Sequence, residues 1–275
     1  MTPAMRTAIY FAAALAAAPC SAQVYDCVID PSETVDVAGA SGGVVARVHI
    51  EPGEKVERGQ LLAKLDSTIQ SATVAMLRLR ADDTSEIEAQ KTQLAFLEAR
   101  LGRTQELSTR GVVSREVLEE IQTAVEAARS VLIRVELARR LAMEELKRAE
   151  AVLSLLEIRS PIDGIVLERY FDDGEYLPLE GRFATIVQLD PLDVVTFLPV
   201  AEYGTIQEGD MAQVRPAPPV DGVYQAEIQR IDRVFDVASG TFGLHLRLDN
   251  PDLSIPAGHR CKVAFGSEIG TSSSD

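Results

Sequence analysis

Residues 43–66 read GVVARVHIEPGEKVERGQLLAKLD, and residues 164–190 read GIVLERYFDDGEYLPLEGRFATIVQLD. Laid over each other, Gly43-Val44-Val45 matches Gly164-Ile165-Val166, and Gly53-Glu54-Lys55-Val56 matches Gly174-Glu175-Tyr176-Leu177. Gly59 then matches Gly181, and Leu65-Asp66 matches Leu189-Asp190. The offset is 121 residues at the first two glycines, 122 at the third and 124 at the Leu-Asp pair, so the chain holds two copies of one unit. In each copy an alternating strand runs into a glycine turn and a second strand, which makes half of a small antiparallel sandwich. Neither half has the apolar surface to fold alone, so the two are expected to pack on each other and bring Asp66 and Glu157 together.

What separates the copies is helical. Between residues 60 and 160 there is no proline, and the glycines are Gly102 and Gly111. Leu118, Ile121, Val125, Ala128, Leu132, Val135, Ala138, Ala142, Leu146, Ala149, Leu153 and Leu156 step by threes and fours, with a mean step of about 3.5, the period of a two-helix seam. The preceding arm, from 67 to about 107, shows Ile87, Leu94, Leu97 and Leu101 at similar spacing and a poorer stripe before Ile87. The stretch 102–114 interrupts the pattern, which predicts two antiparallel arms of about 40 residues, each roughly 60 Å long at 1.5 Å per residue. Phe96 is the sole aromatic of the block, and its charges read as a solvated face.

Beyond Asp190 come short β runs, at 194–200, 213–215, 224–234, 243–248 and 259–265, spaced by Gly, Pro, Asn and Asp. Such spacing predicts a small barrel, to which residues 24–29 add a strand that carries Cys27 within reach of Cys261. The fold class is therefore α+β and multidomain: a long antiparallel α-helical hairpin inserted in a split β-sandwich, followed by a small β-barrel. The expected boundaries are 34–66 with 157–190 for the sandwich, 67–156 for the hairpin and 23–33 with 191–268 for the barrel. Residues 269–275 read as a disordered tail.

Composition narrows the function. With 27 Lys and Arg against 42 Asp and Glu, the formal charge of −15 opposes a phosphate backbone, so nucleic acid is not expected as a partner. Residues 1–22 read as a cleaved signal peptide, with Arg6 ahead of a short apolar run and small residues up to Ala22. A lipoprotein cut before Cys20 is the rival, disfavoured by Pro19 and by the lack of Leu three residues earlier. In an exported chain Cys27 and Cys261 are a candidate disulfide, the other reading being two separate buried thiols. His49, His245 and His259 are scattered, and Met76, Met143 and Met211 are far apart, so no metal site is expected. His259 lies two residues from Cys261 on one strand face and reads as core. Asp163, Asp172 and Asp173 lie in glycine turns, where Asp is favoured for backbone reasons, and no nucleophile with a base accompanies them. No catalytic residue and no cofactor are assigned.

With these segments in view, the chain resembles the membrane fusion protein, or periplasmic adaptor, family (HlyD-like) of Gram-negative tripartite efflux pumps. The resemblance rests on Val44-Val45-x-x-Val48 through Gly59-Gln60-Leu61-Leu62-Ala63-x-Leu65-Asp66, on Ile158-Arg159-Ser160-Pro161-Ile162-Asp163-Gly164-Ile165-Val166, and on Ser239-Gly240-Thr241-Phe242 through Asn250-Pro251 to Pro256-Ala257-Gly258. It implies that the split sandwich is lipoyl-like. In that family the hairpin tip carries Arg, then Leu four residues on, then Ser seven further, and here Arg103, Leu107 and Ser114 stand at those spacings. The resemblance implies that these three dock on an outer-membrane channel, while an inner-membrane efflux pump of the resistance-nodulation-division type supplies the energy. It further implies a periplasmic location at the inner membrane and a homo-oligomeric ring, a trimer or hexamer.

Lipoyl and biotinyl carriers share the half-motifs but present a modified Lys at a short turn between the halves, where this chain has its helices; Lys64 stands in the strand before them. Ser114 also reads as the N-cap of Ser114-Arg115-Glu116-Val117. A full membrane-proximal domain is not expected, since Gln23 to Asp30 and the last few residues are what is left for one. The alternatives are an adaptor of an ATP-driven exporter or type I secretion system, and a non-transport coiled-coil scaffold.

Overall fold

The computed structural model describes residues 23–266, so the expected signal peptide and the expected tail lie outside the described residues. In chain order come β1 (Val24–Ala38), β2 (Gly43–Val48), β3 (Lys55–Val56), β4 (Leu61–Leu65), α1 (Thr68–Asp82), α2 (Ser85–Thr109) and α3 (Arg115–Ser154). There follow β5 (Glu157–Arg159), β6 (Gly164–Arg169), β7 (Tyr176–Leu177), β8 (Arg182–Pro199), β9 (Met211–Pro216), β10 (Tyr224–Ile231), β11 (Thr241–Leu248) and β12 (His259–Phe265). Contacts divide the chain into two units, Thr34–Val187 and the residues on either side, and β1 and β8 contribute to both.

The unit Thr34–Val187 holds the sandwich and the helices. Its two half-repeats interleave. Gly53 N–H donates to the Val166 carbonyl (2.8 Å) and Val166 N–H to that of Glu54 (2.9 Å); in mirror fashion Gly174 N–H donates to the Val45 carbonyl and Val45 N–H to that of Glu175, both 2.8 Å. Each copy thus hydrogen-bonds to the other by the same pattern. Between them lie Val45, Leu62, Leu65, Leu177, Phe183 and Ile186, all fully buried; each large aliphatic contributes roughly 1.5–3 kcal/mol. Strand order is β5-β4-β2-β7 in one sheet, with β3-β6-β8 opposite. The last matched pair of the repeat diverges: Leu65 lies in this core, whereas Leu189 packs on the barrel core, and the unit ends at Val187 rather than at residue 190.

β4 and β5 are neighbours, with Lys64 opposite Glu157, so the helices leave and return at one place. On α3 the seam residues Ile121, Val125, Ala128 and Ala142 are buried against α1 and α2, while Ala138 of the expected stripe is exposed. The first arm departs from expectation in two ways. It is broken at Asp83–Thr84, where the Asp83 carboxylate accepts the Ser85 N–H (2.9 Å) and Arg139 Nε donates to the Ala81 carbonyl (3.2 Å), supplying the partners the interrupted helix loses. It then runs straight through Gly102 to Thr109, because a side chain there would meet nothing within 4 Å and glycine costs an exposed helix only about 1 kcal/mol. Among the described residues no helix is long and apolar enough to cross a membrane.

The second unit is a ring of six strands in the order β1-β12-β9-β10-β11-β8, with β1 and β8 also paired and the Thr196 hydroxyl donating to the Asp26 carbonyl (2.8 Å). Phe242, Leu198, Leu244, Leu246 and Ile228 fill it. Asn250, buried, donates to the carbonyls of Leu189 (2.9 Å) and Ile255 (3.0 Å) and accepts the Ile255 N–H (3.1 Å), so its amide is satisfied. Where two separate strands were expected around Asp190, β8 runs unbroken across Pro191; β10 ends at Ile231, before Val234.

Candidate functional site: the turn between the helical arms

The turn is built by backbone chemistry that the sequence dictates. Gly111 takes φ +74°, the left-handed conformation that ends helices, and its N–H donates to the Ser108 carbonyl (3.0 Å) while the Val112 N–H reaches back to that of Leu107 (3.0 Å). This paired 5→2 and 6→1 arrangement is a Schellman cap, which sets the residue after glycine beside the residue four before it. Those residues are Val112 and Leu107. On the far side Ser114 caps α3 by accepting the Val117 N–H, at 3.4 Å.

The three expected docking residues fall within this end of the helices. Arg103 and Leu107 lie one turn apart on α2, Leu107 40% exposed, and Ser114 opens α3. The Arg103 guanidinium has no hydrogen-bond or ion-pair partner among the described residues, and no hydrogen bond or ion pair links the three side chains to one another. The apolar surface extends past Leu107. Val112 is 69% exposed and Val117 39%, so the turn presents three aliphatics beside an unpaired cation. Val112 and Val117 were not singled out from the sequence; an aliphatic directly after a helix-ending glycine is the signal that points to Val112.

The other sequence candidates hold structure. Cys27 and Cys261 lie opposite each other on β1 and β12, Cα atoms 4.8 Å apart, joined as a disulfide within the barrel core. His259 Nε2 contacts the Ala217 carbonyl (2.5 Å). Asp163 accepts the Arg58 N–H (2.8 Å) and Asp173 the Val48 N–H (2.6 Å), while Asp172 pairs with Arg169. These carboxylates fasten turns and do not converge. Lys64 lies within β4, paired across to Arg47 and Glu157. Among the described residues no group of three or more His, Cys, Asp or Glu is placed to hold a metal ion.

Besides Asp83, which accepts from Ser85 at the helix break, two further carboxylates are held below their usual range. Asp66, at the root of α1, accepts from the Thr68 hydroxyl and then from its N–H, and Asp236 accepts the N–H groups of Ser239 and Ala238 in the β10–β11 loop. Both fix the ends of elements.

Known proteins share this architecture. A pyoverdine export membrane fusion protein, PvdR, of Pseudomonas putida is 24% identical over 189 residues, covering 68% of this chain and 47% of its own. A multidrug resistance protein, MdtA, of Pectobacterium atrosepticum is 28% identical over 237 residues, covering 82% of this chain and 53% of its own. The chain spans about half the length of the curated relatives it matches. Among solved structures, MacA from Actinobacillus actinomycetemcomitans superposes with a TM-score of 0.72 at 20% identity, covering 88% of this chain and 78% of that one, a likeness of fold. The CzcB-like barrel-sandwich hybrid domain matches residues 33–187, the unit in which the interleaved half-repeats carry the helical arms. More than half of the chain lies in that match, and the chain belongs to the CzcB-like barrel-sandwich hybrid family.

Proposed function

We propose that this chain is a periplasmic adaptor that joins an inner-membrane transporter to an outer-membrane channel in a tripartite efflux complex. One observation carries the reading: a sandwich split by helices about 60 Å long, whose far turn displays Leu107, Val112 and Val117 beside the unpaired Arg103. An exposed aliphatic cluster with an oriented cation is the composition of a docking anchor. The names of the relatives, an export membrane fusion protein and a multidrug resistance protein, support the same role.

In this reading Arg103, Leu107 and Ser114 dock on the channel, and the barrel unit serves the pump. The pump is of the proton-driven resistance-nodulation-division type and does the energetic work, while the adaptor couples and seals without catalysis. Copies of the chain stand side by side in a ring of three or six, since one pair of thin arms cannot enclose a conduit. The chain is exported behind the signal at 1–22, and Cys27 and Cys261 are bonded in that oxidising space.

The test is photocrosslinking from position 107 in cells, followed by mass spectrometry of the captured partner. Capture of an outer-membrane channel is expected; capture of nothing but copies of this chain refutes the docking role.

A further inference from the structure

The most exposed large aliphatics among the described residues are Val234 (85%) and Val237 (96%), both in the loop 232–240 between β10 and β11. They do not stand alone. Phe242, buried in the barrel core, meets Tyr203 edge-on at 5.3 Å between ring centroids, and Tyr203 meets Phe235 in the same manner at 4.9 Å. Exposure rises along this column, from 1% at Phe242 through 38% at Phe235 and 44% at Tyr203 to the two valines, so apolar surface runs from the core out to the loop. Scattered exposed valines need no explanation, whereas a pair carried on an aromatic stem does.

The loop is held in shape. The Asp236 N–H donates to the Thr241 carbonyl (2.9 Å) and the Gly240 N–H to that of Asp236 (2.8 Å), with Gly240 at φ +68°. The Asp236 carboxylate accepts the Ala238 and Ser239 N–H groups, and Asp232 pairs with Arg230 (3.3 Å), so both acids of the loop are engaged within the barrel unit. Arg233 has no hydrogen-bond or ion-pair partner among the described residues, and it lines a groove with Tyr203, Ile206 and Glu208. Valines outermost, with an aromatic pair and a long cation behind them, follow the order of polarity at a bilayer surface: acyl chains first, then the interfacial zone that suits Tyr and Arg.

The path of the chain points to the same occupant. Pairing is antiparallel around the ring, so β1, β9 and β11 begin, and β8, β10 and β12 end, at one and the same end of it. Loop 232–240 and the start of β1 at Val24 therefore share that end. The apolar run 7–18, read from the sequence as the export signal, is separated from Val24 by residues 19–23, which reach roughly 20 Å when extended. A chain held in a membrane by that run is delivered with this end of the barrel against the lipid. We propose that loop 232–240 inserts Val234 and Val237 into the surface of the membrane across which the chain is exported. The charged residues of the groove, Arg233 and Glu208, offset each other, so apolar burial and not attraction to anionic lipid drives the contact. The inference goes beyond the adaptor reading and takes from it only the export of the chain.

The experiment floats the mature chain, residues 23–275, with vesicles of phosphatidylcholine, alone and with phosphatidylglycerol added. Co-flotation is expected with both and should survive raised salt, which screens charge and leaves apolar burial intact. Val234→Asp with Val237→Asp is expected to lower the bound fraction at least about tenfold, with helix content and urea midpoint unchanged because both side chains stand in water. A nitrobenzoxadiazole dye on Val237→Cys is expected to emit at shorter wavelength once vesicles are added. Absence of flotation, flotation that the double variant retains, or an unshifted dye overturns the proposal. So does a photocrosslinker at position 237 that captures only protein in cells, which marks the loop as a protein contact. Flotation without channel capture from position 107 keeps the lipid contact and removes the adaptor role, and capture without flotation does the reverse.

Discussion

Gly43 and Gly164 are the same residue of the two repeats, yet the structure sets them in unequal surroundings. A methyl group on Gly164 would lie 2.5 Å from the Val187 carbonyl oxygen and 2.9 Å from Ile186 Cγ2. Ordinary contact is about 3.5 Å, so β8 has to retreat by about 1 Å along a stretch where it pairs with β6. Forcing an extra methyl group into packed backbone costs about 1–3 kcal/mol. On Gly43 the same methyl group meets Leu65 Cδ1 at 3.5 Å and its Cβ at 3.7 Å, which is normal packing. Neither glycine has positive φ, so Gly43→Ala is expected to be neutral or to gain about 0.4–1 kcal/mol by restricting the unfolded chain. The two variants should therefore differ by about 2–3 kcal/mol. Urea unfolding followed at 222 nm reads this directly, because α1, α2 and α3 all lie in the unit Thr34–Val187. With a slope of about 1–3 kcal/mol per molar urea, the midpoints should separate by about 1 M, Gly164→Ala lower. Equal midpoints, or the reverse order, would refute the account of how the halves interleave.

Leu107→Asp should leave helix content and the unfolding midpoint unchanged, the side chain being 40% exposed, while abolishing channel capture and efflux; an exported, folded variant with full efflux contradicts the docking assignment. Ser114→Ala removes the cap of α3 and should cost about 0.5–1 kcal/mol in the same urea assay, the low end because its hydrogen bond is 3.4 Å long. Replacing Cys27 and Cys261 by Ser frees a loop closed over a separation of 234 residues and should cost about 2–5 kcal/mol in calorimetric unfolding, a loss that reductant reproduces in the parent protein. Asp236 is held below the usual carboxylate range by the Ser239 and Ala238 N–H groups, so the anchoring of its loop is present above about pH 4, the unfolded value, and is lost as pH falls through the lower folded value. Amide exchange at Ala238 and Ser239 should quicken over that window, and Asp236→Asn should flatten the change.

What the sequence displays are features written in periodicity or in special backbone residues. The glycines of the two repeats and the threes and fours of α3 are of this kind, and both are legible because each position obeys a local rule. The break at Asp83–Thr84 is not, since Asp, Asp and Thr are ordinary on a helix surface and the partners that stabilise the break, Arg139 above all, come from another helix. Gly102 misleads in the other direction, because a breaker on a solvent-facing position costs too little to stop a helix whose seam continues past it. The length of β8 was hidden for a similar reason: Asp190-Pro191 reads as punctuation, while the pairing that carries the strand on from Leu192 belongs to β11, far along the chain. At the turn, Leu107 was visible through a spacing, and Val112 became visible only once the cap fixed which side chains stand together.

The reciprocal bonds of the half-repeats set an order of events. During synthesis, residues 43–65 emerge first and have nowhere to bury Val45, Leu62 and Leu65 until 157–187 arrive, about 90 residues later, a delay of roughly 5 to 20 s at ribosomal speed. The intervening helices shorten that wait in space though not in time: once their seam zips, the strands at their roots are delivered side by side, and a search across more than a hundred residues collapses to the closure of two short ends. The arms that reach outward in the finished protein are thus also the fastener by which the sandwich is assembled.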